Sequence, residues 1–357
     1  METGPPASKA WRELLTRKIP LLLATLFLLL VADRILFHFF AGIWDSDPIL
    51  HFKHRPGVVS NWGKEFGNKP IRINSHGFHD DEFPQEKPEG ELRGLIIGDS
   101  VVMGHGVTAA EAFPNQLERM IAERPTGYRS VQIINAGVQG YATQQYLEVL
   151  RRSLKFSPDF VVVVFCMNDV TEPHKLSSEE GGTGVDYHGV LKTSQRWIDF
   201  ILNDTGFGRL ALRIRLWLAR DREFERLEIY NVGRMVRSGL RRPEFQRAWA
   251  RALDDIEEIH RTSASAHLPV VLMITPYRFQ IGDPEAQFPQ QLLKRHAELT
   301  GESCLDMTEA LARRAAAGAD LKSLFFDQVH YTPMGHRIVA EELLEYLERT
   351  DLLSRKI

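Results

Sequence analysis

Two stretches far apart in the chain hold the groups that nucleophilic acyl chemistry needs. Gly98-Asp99-Ser100 offers a serine hydroxyl, and Asp327-Gln328-Val329-His330 offers an imidazole with a carboxylate three residues before it. A serine hydroxyl is a weak nucleophile until a base takes its proton. His330 is the candidate base, and Asp327 can accept from its other ring nitrogen and hold one tautomer. Attack on an ester carbonyl creates an oxyanion, which needs donors already in place. The Ser100 N–H, the Gly137 N–H of Asn135-Ala136-Gly137 and the side-chain amide of Asn168 in Cys166-Met167-Asn168-Asp169 can supply three. At position 137 a glycine lets the backbone approach a substrate closely.

Each stretch alone has an ordinary reading. Gly-Asp-Ser is a common strand-to-helix turn, and Asp99 reads as shaping it. Asp169 reads as a brace for its loop and His336 as structural. His105 is either structural or a pocket-lining residue near Ser100. Asp306 competes with Asp327 for the acid role, but the three-residue spacing to His330 favours Asp327. Cys166 closes a buried strand and is not the expected nucleophile. Both cysteines, Cys166 and Cys304, are expected on strands as buried thiols.

These residues need a frame that brings distant loops together. Short apolar runs at Leu95–Ile97, Val131–Asn135, Phe160–Phe165, Val270–Ile274 and Ser303–Leu305 read as strands. Helical patterns near Ala109–Glu123, Tyr146–Leu154, Pro243–Thr262, Pro289–Leu299 and Met334–Leu347 separate or follow them. Alternation with continuously apolar strands predicts a parallel sheet covered on both faces. Its strands end on one edge, where the four motifs can meet. Leu321–Phe326 is a strand-like run before Asp327. Thr332 and Pro333 mark the cap and first residue of the last helix.

The rest of the chain sets bounds. Its net charge is −3, and no Lys/Arg cluster is interleaved with aromatics, so nucleic acid is not an expected partner. Two cysteines cannot build a disulfide framework, and no spacing suits structural zinc; no cofactor or metal is expected. Lys9, Arg12, Arg17 and Lys18 precede an apolar stretch over 19–44 that is interrupted only at Asp33-Arg34. Such a stretch can span a bilayer with its N-terminus in the cytoplasm. A cleaved signal peptide and a peripheral or buried helix are the alternatives; no small-x-small cleavage site stands near Ala32 or Ala41. The expected organisation is a cytoplasmic 1–18, an anchor at 19–44, a loop-rich lead-in at 45–91 with a short strand at Ile71–Ile73, and a catalytic domain at 92–357. An insertion at about 171–242 interrupts that domain. Gly181–Gly184 reads as a loop, and Gly208–Arg222 as an extra packed element or as a lid or membrane-facing element.

The ordered set of motifs resembles the SGNH hydrolase (GDSL esterase/lipase) family, whose four signature residues map onto Ser100, Gly137, Asn168 and His330. The resemblance runs from about Leu92 to Leu347, without much of the insertion. It implies a flavodoxin-like three-layer α/β/α sandwich. It also implies acyl-ester chemistry, with Ser100 as nucleophile, His330 as base, Asp327 as its orienter, and Gly137 and Asn168 completing the oxyanion hole. Cys166 stands where the family's third block has glycine. No Gly-x-Ser-x-Gly elbow surrounds Ser100, against the other large serine-hydrolase fold. The expected activity is a membrane-anchored, extracytoplasmic serine esterase acting on an acyl group of a glycan, a lipid or a small ester. The alternative is an O-acyltransferase that modifies cell-surface polysaccharide with the same triad.

Overall fold

The computed structural model describes residues 14–40, 42–171, 205–219, 222–318 and 320–354. Helix α1 (Ile19–Phe40) leaves Leu21, Leu22, Leu23 and most of the apolar side chains up to Val31 exposed. Within three residues of its end the chain enters two small hairpins. In these, β1 (Trp44–Asp47) pairs antiparallel with β2 (His51–His54), and β3 (Val59–Asn61) with β4 (Pro70–Arg72).

The central sheet has five parallel strands: β5 (Glu91–Gly98), β6 (Ser130–Gly137), β7 (Phe160–Cys166), β8 (Val270–Thr275) and β9 (Ser303–Asp306). Their order is β6-β5-β7-β8-β9. This is the doubly wound order of flavodoxin-like folds, whose ligands bind at the strand ends where the winding direction reverses. Here that switch point lies between β5 and β7.

Every residue of β5 and of β7 is buried, because both sheet faces are covered. Successive side chains take opposite faces. Leu95, Ile97, Val161 and Val163 pack with Tyr146, Leu147 and Leu150 of a helix that follows β6. On the other face, Ile96, Val162 and Val164 pack with Phe113, Leu117 and Ile121, and with Val339, Leu343 and Leu347 near the C-terminus. The helices, in chain order, are α2 (Ser100–Met103), α3 (Phe113–Ala122), α4 (Thr143–Ser153), α5 (Asn168–Thr171), α6 (Gly206–Ala219), α7 (Arg222–Ser238), α8 (Pro243–Ser265), α9 (Phe288–Thr300), α10 (Met307–Ala316), α11 (Leu321–Leu324) and α12 (Pro333–Arg349).

The sequence reading needs correction at several points. The region read as one helix near Ala109–Glu123 is a 3₁₀ turn at Ala109–Glu111 followed by α3, with Pro114 in the first turn of α3. Leu321–Phe326 is not strand-like: Asp320 caps the helical turn α11, and only Phe325 bridges to Tyr331. Cys166 is buried, but Cys304 is only half-buried because β9 is the edge strand. Helix α10 had no counterpart in the sequence reading. Of the expected insertion, residues 172–204, with the Gly181–Gly184 loop, lie outside the described structure. The ambiguous stretch after Gly206 is the helix α6, and it packs against α1. Gly206 permits this: a Cβ there would lie 2.0 Å from the Asp33 carbonyl oxygen. Arg209 lies 4.2 Å over the Phe37 ring and donates to the Trp44 carbonyl at 3.1 Å.

The lead-in is tied to the core by Asp80. Its carboxylate accepts from Asn115 Nδ2 at 2.5 Å, the Asn135 N–H at 3.0 Å and the Asp81 N–H at 2.9 Å. Burial nevertheless pushes its pKa up to about 7, and the nearby Glu118 carboxylate adds to this. A carboxyl group whose folded pKa is raised stabilises the fold fully below its unfolded pKa and loses that contribution as pH rises through the folded value. We therefore expect the stability difference between Asp80→Asn and the parent to shift toward the variant from about pH 4 to about pH 7, by about 1.4 kcal/mol per pH unit at most. Melting temperatures of both proteins across this range test it. A difference that does not change with pH would show that Asp80 is ionised throughout.

Candidate active site

Ser100 follows the C-terminal end of β5 and opens the single turn of α2. Asp99 forms the cap by accepting the Val101 N–H at 2.8 Å. The serine is only 5% exposed. Its Oγ lies 2.9 Å from His330 Nε2, and His330 Nδ1 lies 2.6 Å from Asp327 Oδ2. The other Asp327 oxygen accepts the Val329 and His330 N–H groups at 2.7 and 2.8 Å. The turn therefore holds the carboxylate at both oxygens and aims it at the imidazole. Behind His330, Thr332 caps α12 by accepting the Gly335 N–H at 3.2 Å, with Pro333 as its first residue. The Phe326 N–H donates to the His330 carbonyl at 2.8 Å and closes the loop.

Burial alone would raise the pKa of Asp327. The charge and hydrogen bond of His330, with the two backbone donors, outweigh it and hold the carboxyl well below the usual range. Asp327 is thus ionised at neutral pH. Its position matches a serine–imidazole–carboxylate relay in which Nδ1–H is donated to Asp327 and Nε2 is left to accept from Ser100.

The structure brings Gly137 and Asn168 to the same strand edge, with details the sequence did not reveal. Gly137 ends β6, and its N–H donates to Asn135 Oδ1 at 3.2 Å. A Cβ at this position would lie 2.2 Å from the Met103 nitrogen and 2.7 Å from the Val102 carbonyl carbon. The glycine is needed because α2 packs directly on it, a packing reason the sequence did not reveal. Asn168 opens α5 and donates through Nδ2 to Asp99 Oδ2 at 3.2 Å. Asp99 thus joins the serine turn to the asparagine loop, beyond shaping its own turn. Burial raises its pKa against the hydrogen bonds from Val101 and Asn168. Asp169 braces the loop by accepting the Cys166 N–H at 2.9 Å and the Tyr146 hydroxyl at 2.7 Å.

The remaining candidates separate. Asp306 caps α10 through the Thr308 N–H and pairs with Lys294 at 3.3 Å, so it is engaged elsewhere. His336 is buried and accepts the Phe113 N–H at 3.2 Å. His105 lies against His330: the ring centroids are 4.3 Å apart, at an angle of 31°. Gln139, which the sequence reading did not single out, bonds His105 Nδ1. Among the described residues no group of three His, Cys, Asp or Glu is placed to hold a metal ion.

A family model for the GDSL-like lipase/acylhydrolase family matches residues 96–338. The chain belongs to that family and is an ester hydrolase. Among solved structures it is similar to an acetylxylan esterase from Geobacillus stearothermophilus, at 14% identity over 74% of this chain and 97% of that one, with a TM-score of 0.43. It is also similar to a member of the lipolytic protein G-D-S-L family from Veillonella parvula, at 12% identity over 72% of this chain and 99% of that one, with a TM-score of 0.39. No curated protein matches the sequence.

The contact at Gly137 yields a prediction independent of substrate. Gly137→Ala must displace α2, which carries Ser100. Overpacking of this kind costs about 1–3 kcal/mol. We expect a lower melting temperature and a loss of ester hydrolysis larger than the loss of folded protein. Parent-like stability and activity would show that α2 can move aside freely.

Proposed function

We propose that the protein is a membrane-anchored serine esterase whose catalytic domain lies outside the cytoplasm, with Ser100 as nucleophile, His330 as base and Asp327 as its orienter. The observation that carries this reading is the pair of contacts at 2.9 and 2.6 Å linking Ser100, His330 and Asp327. In acylation, Ser100 Oγ bonds to the carbonyl carbon while its proton passes to His330 Nε2. The carbonyl oxygen becomes the oxyanion, which the Ser100 and Gly137 N–H groups and Asn168 Nδ2 stabilise. For this, the Asn135 side chain must release the Gly137 N–H, and Asn168 Nδ2 must leave Asp99. The intermediate collapses, the ester C–O bond breaks, and the alcohol leaves with the proton from His330. Water then attacks the acyl-serine with His330 again as base, releasing the acid and restoring the serine.

The substrate class we propose is an O-acetyl or other short acyl ester of a glycan, a lipid or a small molecule. The full-length chain should hydrolyse p-nitrophenyl acetate, with longer acyl chains setting its range. Ser100→Ala should abolish turnover, and Asp327→Asn should lower kcat by about 10²–10⁴. Activity should fall as the pH drops and His330 gains a proton, with Asp327 still ionised. Equal activity in Ser100→Ala would remove Ser100 from the mechanism. Turnover that needs a sugar acceptor would move the reading to an O-acyltransferase.

The anchor reading rests on the stretch Thr16–Phe37, long and apolar enough to cross a bilayer and almost unburied by the rest of the protein. Basic residues precede it, which favours a cytoplasmic N-terminus. The full-length chain should stay in the membrane pellet after alkaline carbonate extraction, and external protease should cut the catalytic domain in spheroplasts. Release into the supernatant, or protection from that protease, would overturn the anchor or its orientation.

A further inference from the structure

The β3–β4 hairpin belongs to the lead-in, yet its tip reaches the His105 ring that lies against His330. Its turn at Lys64–Phe66 brings the Phe66 ring to 5.0 Å from His105, edge to face, and to 5.2 Å from Phe326. Trp62 lies 4.7 Å from His105 on the same hairpin, and its indole N–H donates to the Val107 carbonyl at 2.6 Å. Lys69 pairs with Glu111 at 2.8 Å and fixes the hairpin's far side. The fit is close: a Cβ on Gly106 would meet the Phe66 ring at 2.5 Å. The His105 ring thus has Trp62 and Phe66 packed around it, Gln139 on Nδ1, and His330 against it at 4.3 Å.

Burial holds the pKa of His105 well below the ordinary imidazole value, and the neighbouring His330 acts in the same direction. A neutral ring set against the base matters when His330 takes the serine proton. A second cation there would repel the imidazolium, whereas an aromatic ring attracts it. It also fixes the plane of the base, whose Nε2 must stay within hydrogen-bond reach of Ser100 Oγ.

We propose that His105 is a positioning residue for His330, and that the β3–β4 hairpin, through Trp62 and Phe66, holds it there. On this view the segment before the catalytic sheet is part of the catalytic machinery. The inference rests on the reading of Ser100 as nucleophile and His330 as base.

The test is the rate at which a fluorophosphonate labels Ser100 in the full-length chain, measured across pH together with the labelling endpoint. In that reaction Ser100 Oγ bonds to phosphorus, fluoride leaves, and the serine proton passes to His330. The rate therefore reports activation of the serine without any need to know the natural substrate. His105→Ala should slow labelling by about tenfold or more, since small misplacement of a reacting group costs up to about 10² in rate. His105→Phe, which keeps an aromatic ring without the polar nitrogens, should recover to within about threefold of the parent, and Phe66→Ala should fall between them. A purely structural role would lower the endpoint, which counts folded sites, and leave the rate constant of those sites unchanged. A parent-like rate in His105→Ala, or His105→Phe as slow as His105→Ala, would overturn the inference. If His105→Ala does not fold, a parent-like rate in Phe66→Ala overturns it, and a slowed Phe66→Ala beside a recovered His105→Phe sustains it. A parent protein that is not labelled at all would overturn the nucleophile reading, and this inference with it.

Discussion

A contact of 2.9 Å between two side chains 230 residues apart leaves little freedom to whatever carries them. A displacement of about 1 Å at a reacting group can cost roughly 10² in rate. Ser100 is held from below by a strand buried on both faces and from the side by Gly137, on which α2 rests. His330 is held by the turn that wraps Asp327 and by the cap of α12. The start of α12 is itself pinned, because a Cβ on Gly335 would lie 2.2 Å from the Leu324 carbonyl oxygen. Each half of the site is thus built against backbone, the least adjustable part of the protein.

The same logic explains what could be read from the sequence and what could not. The strands were legible because both of their faces are buried, so that each is an uninterrupted apolar run such as Phe160–Phe165. The grouping of Ser100, His330 and Asp327 was legible because Asp327 and His330 share one turn and Ser100 opens the turn that follows a strand. The hairpins of the lead-in were mostly hidden. Their strands are three or four residues long and largely polar, as in Trp-Asp-Ser-Asp, and they gain their place from contacts elsewhere in the chain. Helix α6 was ambiguous because it packs against α1, so its periodicity answers to a partner the sequence does not name. Asp99 looked like a turn residue because its bond to Asn168 spans 69 residues. Gln139 gave no signal at all, being one polar residue in a loop whose partner, His105, lies across the strand edge.

The polar interior near the site is as specific as the apolar one. Asp80, Asn115 and Asn135 form a buried network that joins the lead-in, α3 and β6. His79, next to Asp80 in sequence, bonds the Met103 carbonyl at the end of α2 at 2.8 Å. Buried polar groups are costly unless their partners are in place. A segment that supplies those partners to the serine-bearing turn therefore belongs to the folded unit.

Between the end of α1 at Phe40 and the start of β1 at Trp44 lie only three residues. Even fully extended, such a link reaches about 10 Å, and the bond from Arg209 to the Trp44 carbonyl shortens its effective play further. If α1 sits in a bilayer, the catalytic domain is not on a long leash. It would then work within a thin shell above the lipid headgroups, at a high effective concentration toward anything fixed in that layer. Polymers beyond the shell become accessible only where they approach the membrane or are carried to it. Reach, as much as pocket chemistry, then decides which esters this enzyme meets.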